Sequence, residues 1–194
     1  MDKGFLERPR ASAEAQRLYD ADVERVGFVM NLSLLWAHEP TLHSGLFDLF
    51  ERAAKAGGLT FRQRSVLVAA CASVMGDAYC SLAWGNRLAS VAGADVAGRV
   101  LRGEDDQLDA DDRVLAEWAR KLARDPNATA AGDVQALRDA GYDDGQIFGI
   151  TTFVALRIAF ATINDSLGAQ PDHELLLAAP DPVLEAVTYG RACG

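Results

Sequence analysis

Cys80 is the residue whose type and position point most directly to chemistry. It closes the run Gly76-Asp77-Ala78-Tyr79-Cys80, in which Gly76 stops one helix and Asp77 is a favoured N-cap for the next. That places Cys80 at the third position of a new helix, where unpaired N–H groups and the positive end of the dipole favour a thiolate. Asp77 acts in two directions. Its charge opposes ionisation of the neighbouring thiol, yet a carboxylate is the one group at hand for an acid/base part. Ser65 lies on the preceding helix and Trp84 a turn after Cys80. Neither hands on protons near neutrality, since serine does not ionise there and an indole only donates. Cys71 lies in an apolar run and reads as a small core hydrophobe. With Cys193 it is the only thiol available to resolve an oxidised Cys80. Arg62, Arg64 and Arg87 flank the same segment and suit either an anionic ligand or a solvated helix face.

The elements that position these residues are helical. Thr60 followed by Gln63 is a capping box and predicts a helix from about Phe61. From Val66 to Met75 only Ser73 is polar, so this helix runs through a core. Upstream, residues 1–11 read as a loose arm, and Ser12 to about Val26 as a helix with Ala15, Leu18, Tyr19, Val23 and Val26 toward one side. Asn31 to His38 is a short apolar helix that must stop before Pro40. His38, in its last turn, answers the dipole or caps a carbonyl. Leu42, Leu46, Leu49, Phe50 and Ala53 recur at helical spacing up to Gly57-Gly58, with His43 expected to be exposed.

Downstream, the small apolar stretch 89–101 breaks at Gly93 and leads to an acidic loop at 103–107. Asp109 and Asp112 open a helix whose stripe is Val114, Leu115, Trp118 and Leu122. A short helix over 129–140 stops at Gly141, and Asp143 with Gln146 opens the longest one, with Ile147, Ile150, Val154, Ile158 and Ala161 on one face. Phe148, Phe153 and Phe160 widen that apolar surface, so this helix wants two partners, one of them another subunit. The expectation is an all-α helical bundle of one domain over 1–194, with a core at about 26–173 and a tail over 172–194.

Composition narrows the functions. The 194 residues carry no linker rich in proline, glycine and serine. The net charge of -9 and scattered basic residues exclude a nucleic-acid partner. The longest uninterrupted apolar run is too short for a membrane span, and the N-terminus has no apolar signal core, so a cytoplasmic protein is expected. Three cysteines without metal-type spacing predict neither a disulfide framework nor a metal site, and no phosphate-cradling loop appears; no cofactor is expected.

The two-helix hairpin with Cys80 at its second N-terminus resembles the core of the carboxymuconolactone decarboxylase and alkylhydroperoxidase D superfamily. The resemblance extends from about Val26 to His173 and includes Leu137-Arg138-Asp139-Ala140-Gly141, similar to a turn of the peroxidase-related branch, and Asn164-Asp165-Ser166-Leu167-Gly168. The family's peroxidase site has a glutamate on the first helix, a C-x-x-C pair on the second, and a histidine four residues on. Here Ser65, Asp77 and Trp84 stand at the glutamate, first-cysteine and histidine places, and Ala161-Thr162 replaces an expected asparagine-arginine pair. The resemblance implies a thiol-dependent, peroxide-reducing oxidoreductase using Cys80, with Asp77 in an acid/base part. A decarboxylase-like activity is the lesser version, although that branch's histidine is missing too. The alternative is a degenerate member that keeps the scaffold for small-ligand binding or assembly. The implied partners are a small-molecule substrate or ligand and copies of the same chain in a homo-oligomer (dimer, trimer or hexamer).

Overall fold

The computed structural model describes residues 4–192 and contains no strand among them. Two helices form its centre: α4 (Phe61–Met75) and α5 (Ala78–Ala92). Helix α4 starts as the sequence predicts: Thr60 Oγ1 accepts from Gln63 N, and the Gln63 side chain accepts from Thr60 N. Val66, Leu67, Ala69 and Ala70 are fully buried, because α4 is enclosed on several sides. Its neighbours are α5, α6 (Ala94–Arg102), α7 (Ala110–Arg124) and α9 (Asp144–Ser166). Helix α9 packs in turn on α3 (Pro40–Ala56), and α8 (Ala131–Asp139) rests on α7 and α9.

Among the described residues α9 alone is long and apolar enough to cross a membrane by length and composition. It runs inside the bundle, in contact with α3, α4, α7 and α8. Of its apolar residues, Phe153, Val154 and Phe160 are buried, while Phe148 is 75% exposed.

Helices α1 (Ala13–Val26) and α2 (Asn31–Trp36) pack on α3 at one edge. Here the expected stripe is incomplete, since Val23 and Val26 are exposed and Asp22 is buried in their place. Asp22 is drawn inward because Oδ2 accepts from Met30 N (3.0 Å), while Oδ1 takes the Arg25 guanidinium (2.9 Å). Polar satisfaction of the next helix start overrides the apolar pattern there.

His43 also departs from expectation. It is half-buried, stacked on Phe47 (4.1 Å between centroids) and edge-on to Trp36 (5.7 Å). Burial pulls its pKa down to about 4, so it is neutral at pH 7.

Both ends of the chain are tied down. Phe5 N donates to Leu167 O, and His38 Nε2 donates to the carbonyl of Glu7 (3.0 Å), so the carbonyl that His38 answers belongs to the N-terminal segment. At the other end, α10 (His173–Leu177) contacts α5, and α11 (Asp181–Ala186) packs on α5 and α6 with Val183 fully buried. The tail therefore contributes to the core. Cys193 lies outside the described residues.

Candidate functional site

Asp77 is the N-cap of α5, and its Oδ1 accepts from Cys80 N at 2.8 Å. Its other oxygen, Oδ2, is buried and takes no hydrogen bond. Asp77 is fully buried and Cys80 is 5% exposed. Burial pushes the Asp77 carboxyl above the usual carboxylate range. The Cys80 thiol is pushed well above its ordinary value, first by burial and then by the charge of Asp77. At rest the sulfur is protonated, and the helix dipole does not outweigh desolvation.

Cys71 and Cys80 are both free and buried. The Cys71 Sγ lies 3.8 Å from Met75 Sδ, and burial raises its pKa to about 12. It is the inert core thiol that its sequence context indicates.

Ser65 is fully buried, and its hydroxyl donates to Phe61 O (2.8 Å), back into its own helix. Phe61 brings this region to Trp84, their rings 6.4 Å apart. Of the flanking arginines, Arg62 is committed to Asp112 (2.6 Å) and reaches Asp109 (3.4 Å). Arg64 reaches Glu51 at 3.3 Å, and Arg87 donates to Ala83 O (2.8 Å) with its guanidinium 4.9 Å from the Trp84 ring.

The residue that the sequence reading overlooked is Arg157 on α9. It is 7% exposed, and its guanidinium carbon lies 4.6 Å from the ring centroids of both Trp84 and Phe50, 5.6 Å from Phe160 and 6.0 Å from Phe153. Burial pulls its pKa down to about 10, so it remains charged at neutral pH; its charge couples to Cys80, Cys71 and Asp77. A signal was present, since Arg157 is the only charged residue between Ile147 and Ile163.

Asn164, which the sequence singles out only as part of the resemblance, is fully buried on the same helix and accepts from Trp36 Nε1 at 2.8 Å. Tyr79 donates a short hydrogen bond to Asp172, whose other oxygen accepts from Asn31 N (2.8 Å).

The C-terminal strap passes over the Asp77 turn. Tyr189 donates to Ser81 Oγ (3.0 Å), Arg191 to Asp165 O (3.0 Å), and Gly190 lies so close to Gly76 O that a Cβ there would stand 2.5 Å from it. A cavity of about 390 Å³ lies elsewhere, beneath the N-terminal segment, lined by residues such as Pro9, Tyr19, Leu35 and His38. No three side chains of His, Cys, Asp or Glu gather as a metal ion would need, among the described residues.

No family model matches the sequence, and no curated protein matches it. Solved structures do. The chain is similar to the alkylhydroperoxidase AhpD core of an uncharacterized peroxidase-related protein from Ralstonia eutropha JMP134 (TM-score 0.79, 22% identity, 91% of this chain and 96% of that one). An uncharacterized peroxidase-related protein from Silicibacter sp. TM1040 is similar with TM-score 0.78 and 19% identity, over 90% of this chain and 95% of that one. The debrominase Bmp8, as a cysteine-to-alanine variant in complex with 2,3,4-tribromopyrrole, matches with TM-score 0.74 and 14% identity, over 94% of this chain and 97% of that one. The chain therefore has the all-α AhpD-like fold.

Proposed function

We propose that the chain is a single-cysteine, thiol-dependent oxidoreductase that reduces a small peroxide at Cys80. The observation that carries this reading is the pairing of Cys80 with Asp77, whose Oδ1 is committed to the helix cap, whose Oδ2 takes no hydrogen bond, and whose charge acts on the thiol. A carboxylate whose pKa is raised toward that of the thiol is a better proton acceptor than a solvated one. Asp77 Oδ2 takes the thiol proton as the sulfur attacks one peroxide oxygen, and the O–O bond breaks. Sulfur is oxidised to sulfenic acid, and the leaving alkoxide takes the proton to depart as an alcohol. No second cysteine pairs with Cys80 among the described residues, so two equivalents of an external thiol return the sulfenic acid to thiol, releasing water and a disulfide. Trp84, in the place of a proton relay, shapes the site as an apolar wall. The protein works as an oligomer of its own chain, as its sequence resemblance implies.

A second reading is favoured by one observation: Cys80 is 5% exposed and held protonated. On that reading the chain is a ligand-binding scaffold without turnover. The similarity to Bmp8, whose complex holds a small halogenated pyrrole, is a reminder that this fold accommodates other small molecules.

The two readings separate in one experiment. The protein is treated with hydrogen peroxide or cumene hydroperoxide in the presence of dimedone, and the Cys80 peptide is examined by mass spectrometry. The enzyme reading expects a dimedone adduct on Cys80, absent in Cys80→Ser, and thiol-dependent peroxide loss. An unmodified Cys80 that alkylates only after denaturation establishes the scaffold instead.

A further inference from the structure

Two arginines are buried in this fold, and only one is satisfied. Arg120 forms an ion pair with Asp105 and donates to Ser73 Oγ, Ala70 O and Val100 O. Arg157, equally buried, makes no hydrogen bond and no ion pair among the described residues, and its Nε is enclosed without any partner. An unpaired buried cation is costly even where aromatic faces offset part of the loss.

The charge of Asp77 favours the cation from a distance without pairing with it, and further guanidinium groups lie close by. Arg87 lies on the same Trp84 ring, and its charge opposes that of Arg157. Arg64 lies 6.0 Å from the Phe61 ring, which neighbours Trp84, and its Nε is buried and unpaired as well. In a chain with a net charge of -9, three guanidinium groups gather around two aromatic rings, and of these Arg64 is paired with Glu51 while Arg157 has no ion pair among the described residues.

We infer that the Cys80 site takes a small organic anion, a carboxylate on a flat aromatic or apolar body, with the carboxylate on the Arg157 guanidinium and the body against Trp84. A planar guanidinium fork matches a carboxylate with two parallel hydrogen bonds, which suits a donor already fixed by packing. The inference rests on the proposed reaction only for the placement of the site, and it names the substrate class: a peroxide or other electrophile that carries a carboxylate.

The test uses Cys80→Ser, so that binding is measured without turnover and failure of the peroxide reading leaves this result interpretable. Benzoate and its neutral analogue benzamide are titrated by calorimetry, with the oligomeric state followed by sedimentation. Benzoate is expected to bind, and benzamide to bind at least tenfold more weakly. Adding Arg157→Gln should weaken benzoate by roughly ten- to a hundredfold, the loss of a charge-assisted pair, and leave benzamide unchanged. Arg157→Lys should restore part of the difference. Equal affinity for the two probes, or no binding of benzoate to the Cys80→Ser protein, overturns the inference whether or not the arginine variants fold. So does dissociation of the oligomer by Arg157→Gln without a change in benzoate affinity, which would assign the cation to a subunit contact. In the wild type, the anionic reagent iodoacetate should modify Cys80 faster relative to iodoacetamide than it does in Arg157→Gln. Equal slowing of both reagents would mean that the guanidinium serves the thiolate and not a ligand.

Discussion

The Arg157 guanidinium carbon lies 4.6 Å from the centre of the Trp84 ring, so this wide indole is in contact with a buried positive charge from another helix. That contact ties α5 to α9 and joins the apolar wall of the Cys80 site to the most poorly satisfied cation of the bundle. The site is thus polarised between Asp77, with a bare oxygen on one side, and Arg157 on the other.

Asp77→Asn separates the two effects of that carboxylate. Asparagine keeps an oxygen for Cys80 N and remains a good N-cap, so helix α5 persists. Removing the charge takes away a cause of the raised Cys80 pKa. Alkylation by iodoacetamide near pH 8 should therefore speed up, while peroxide reduction slows because the proton acceptor is gone. Both rates rising together would remove Asp77 from the reaction.

His43 should make stability depend on pH with a defined sign. Its folded pKa is about 4 against an ordinary 6.5, so between those values the unfolded chain binds a proton that the folded chain does not. The contribution is fully present above about pH 6.5 and is lost as pH falls toward 4. Asp165, raised to about 6 mainly by burial, acts oppositely: its penalty is relieved as pH falls from about 6 toward 3.8. The wild-type curve mixes the two, so the difference in urea midpoint between wild type and His43→Leu is the quantity to follow from pH 7 to pH 4. A difference that stays constant over that range contradicts the burial of a neutral imidazole.

Trp36→Phe leaves the stacking on Phe160 (5.3 Å) in place but removes the one partner of Asn164 Oδ1 among the described residues, on a side chain whose Nδ2 is already unpaired. Leaving a buried carbonyl without its donor costs about 1–3 kcal/mol. The urea midpoint should fall accordingly with the slope unchanged.

Gly149→Ala tests the seam between α3 and α9. A Cβ there would stand 2.4 Å from Gly57 N and 2.7 Å from Ala56 C, both backbone atoms that no rotamer change can move. Overpacking of this kind costs about 1–3 kcal/mol, and for a chain of this size Tm falls by roughly 2–4 °C per kcal/mol. A Tm within error of wild type would mean that the two helices part without cost.

The sequence made the helices legible wherever a local rule operated. The Thr60–Gln63 and Asp143–Gln146 boxes and the Asp77 cap depend on residues three apart, and each forms. Cys80 could be placed for the same reason. Arg157 could not, because its meaning depends on Trp84, Phe50 and Phe160 arriving from three helices, and a lone charge in an apolar stretch does not announce its surroundings. Asp22 and His43 were missed likewise: one is drawn in by Met30 N, the other by Trp36 and Phe47, and side-chain polarity alone predicts exposure for both.

The strap formed by Tyr189, Gly190 and Arg191 has a consequence for repair. Pinned against the turn that carries Asp77, it shields the first turn of α5 from any bulky visitor. If Cys80 is oxidised as proposed, a folded electron-donor protein meets this cover before the sulfur, whereas a thiol of metabolite size has a shorter path. On the proposed reaction, this cover would sort reductants by size.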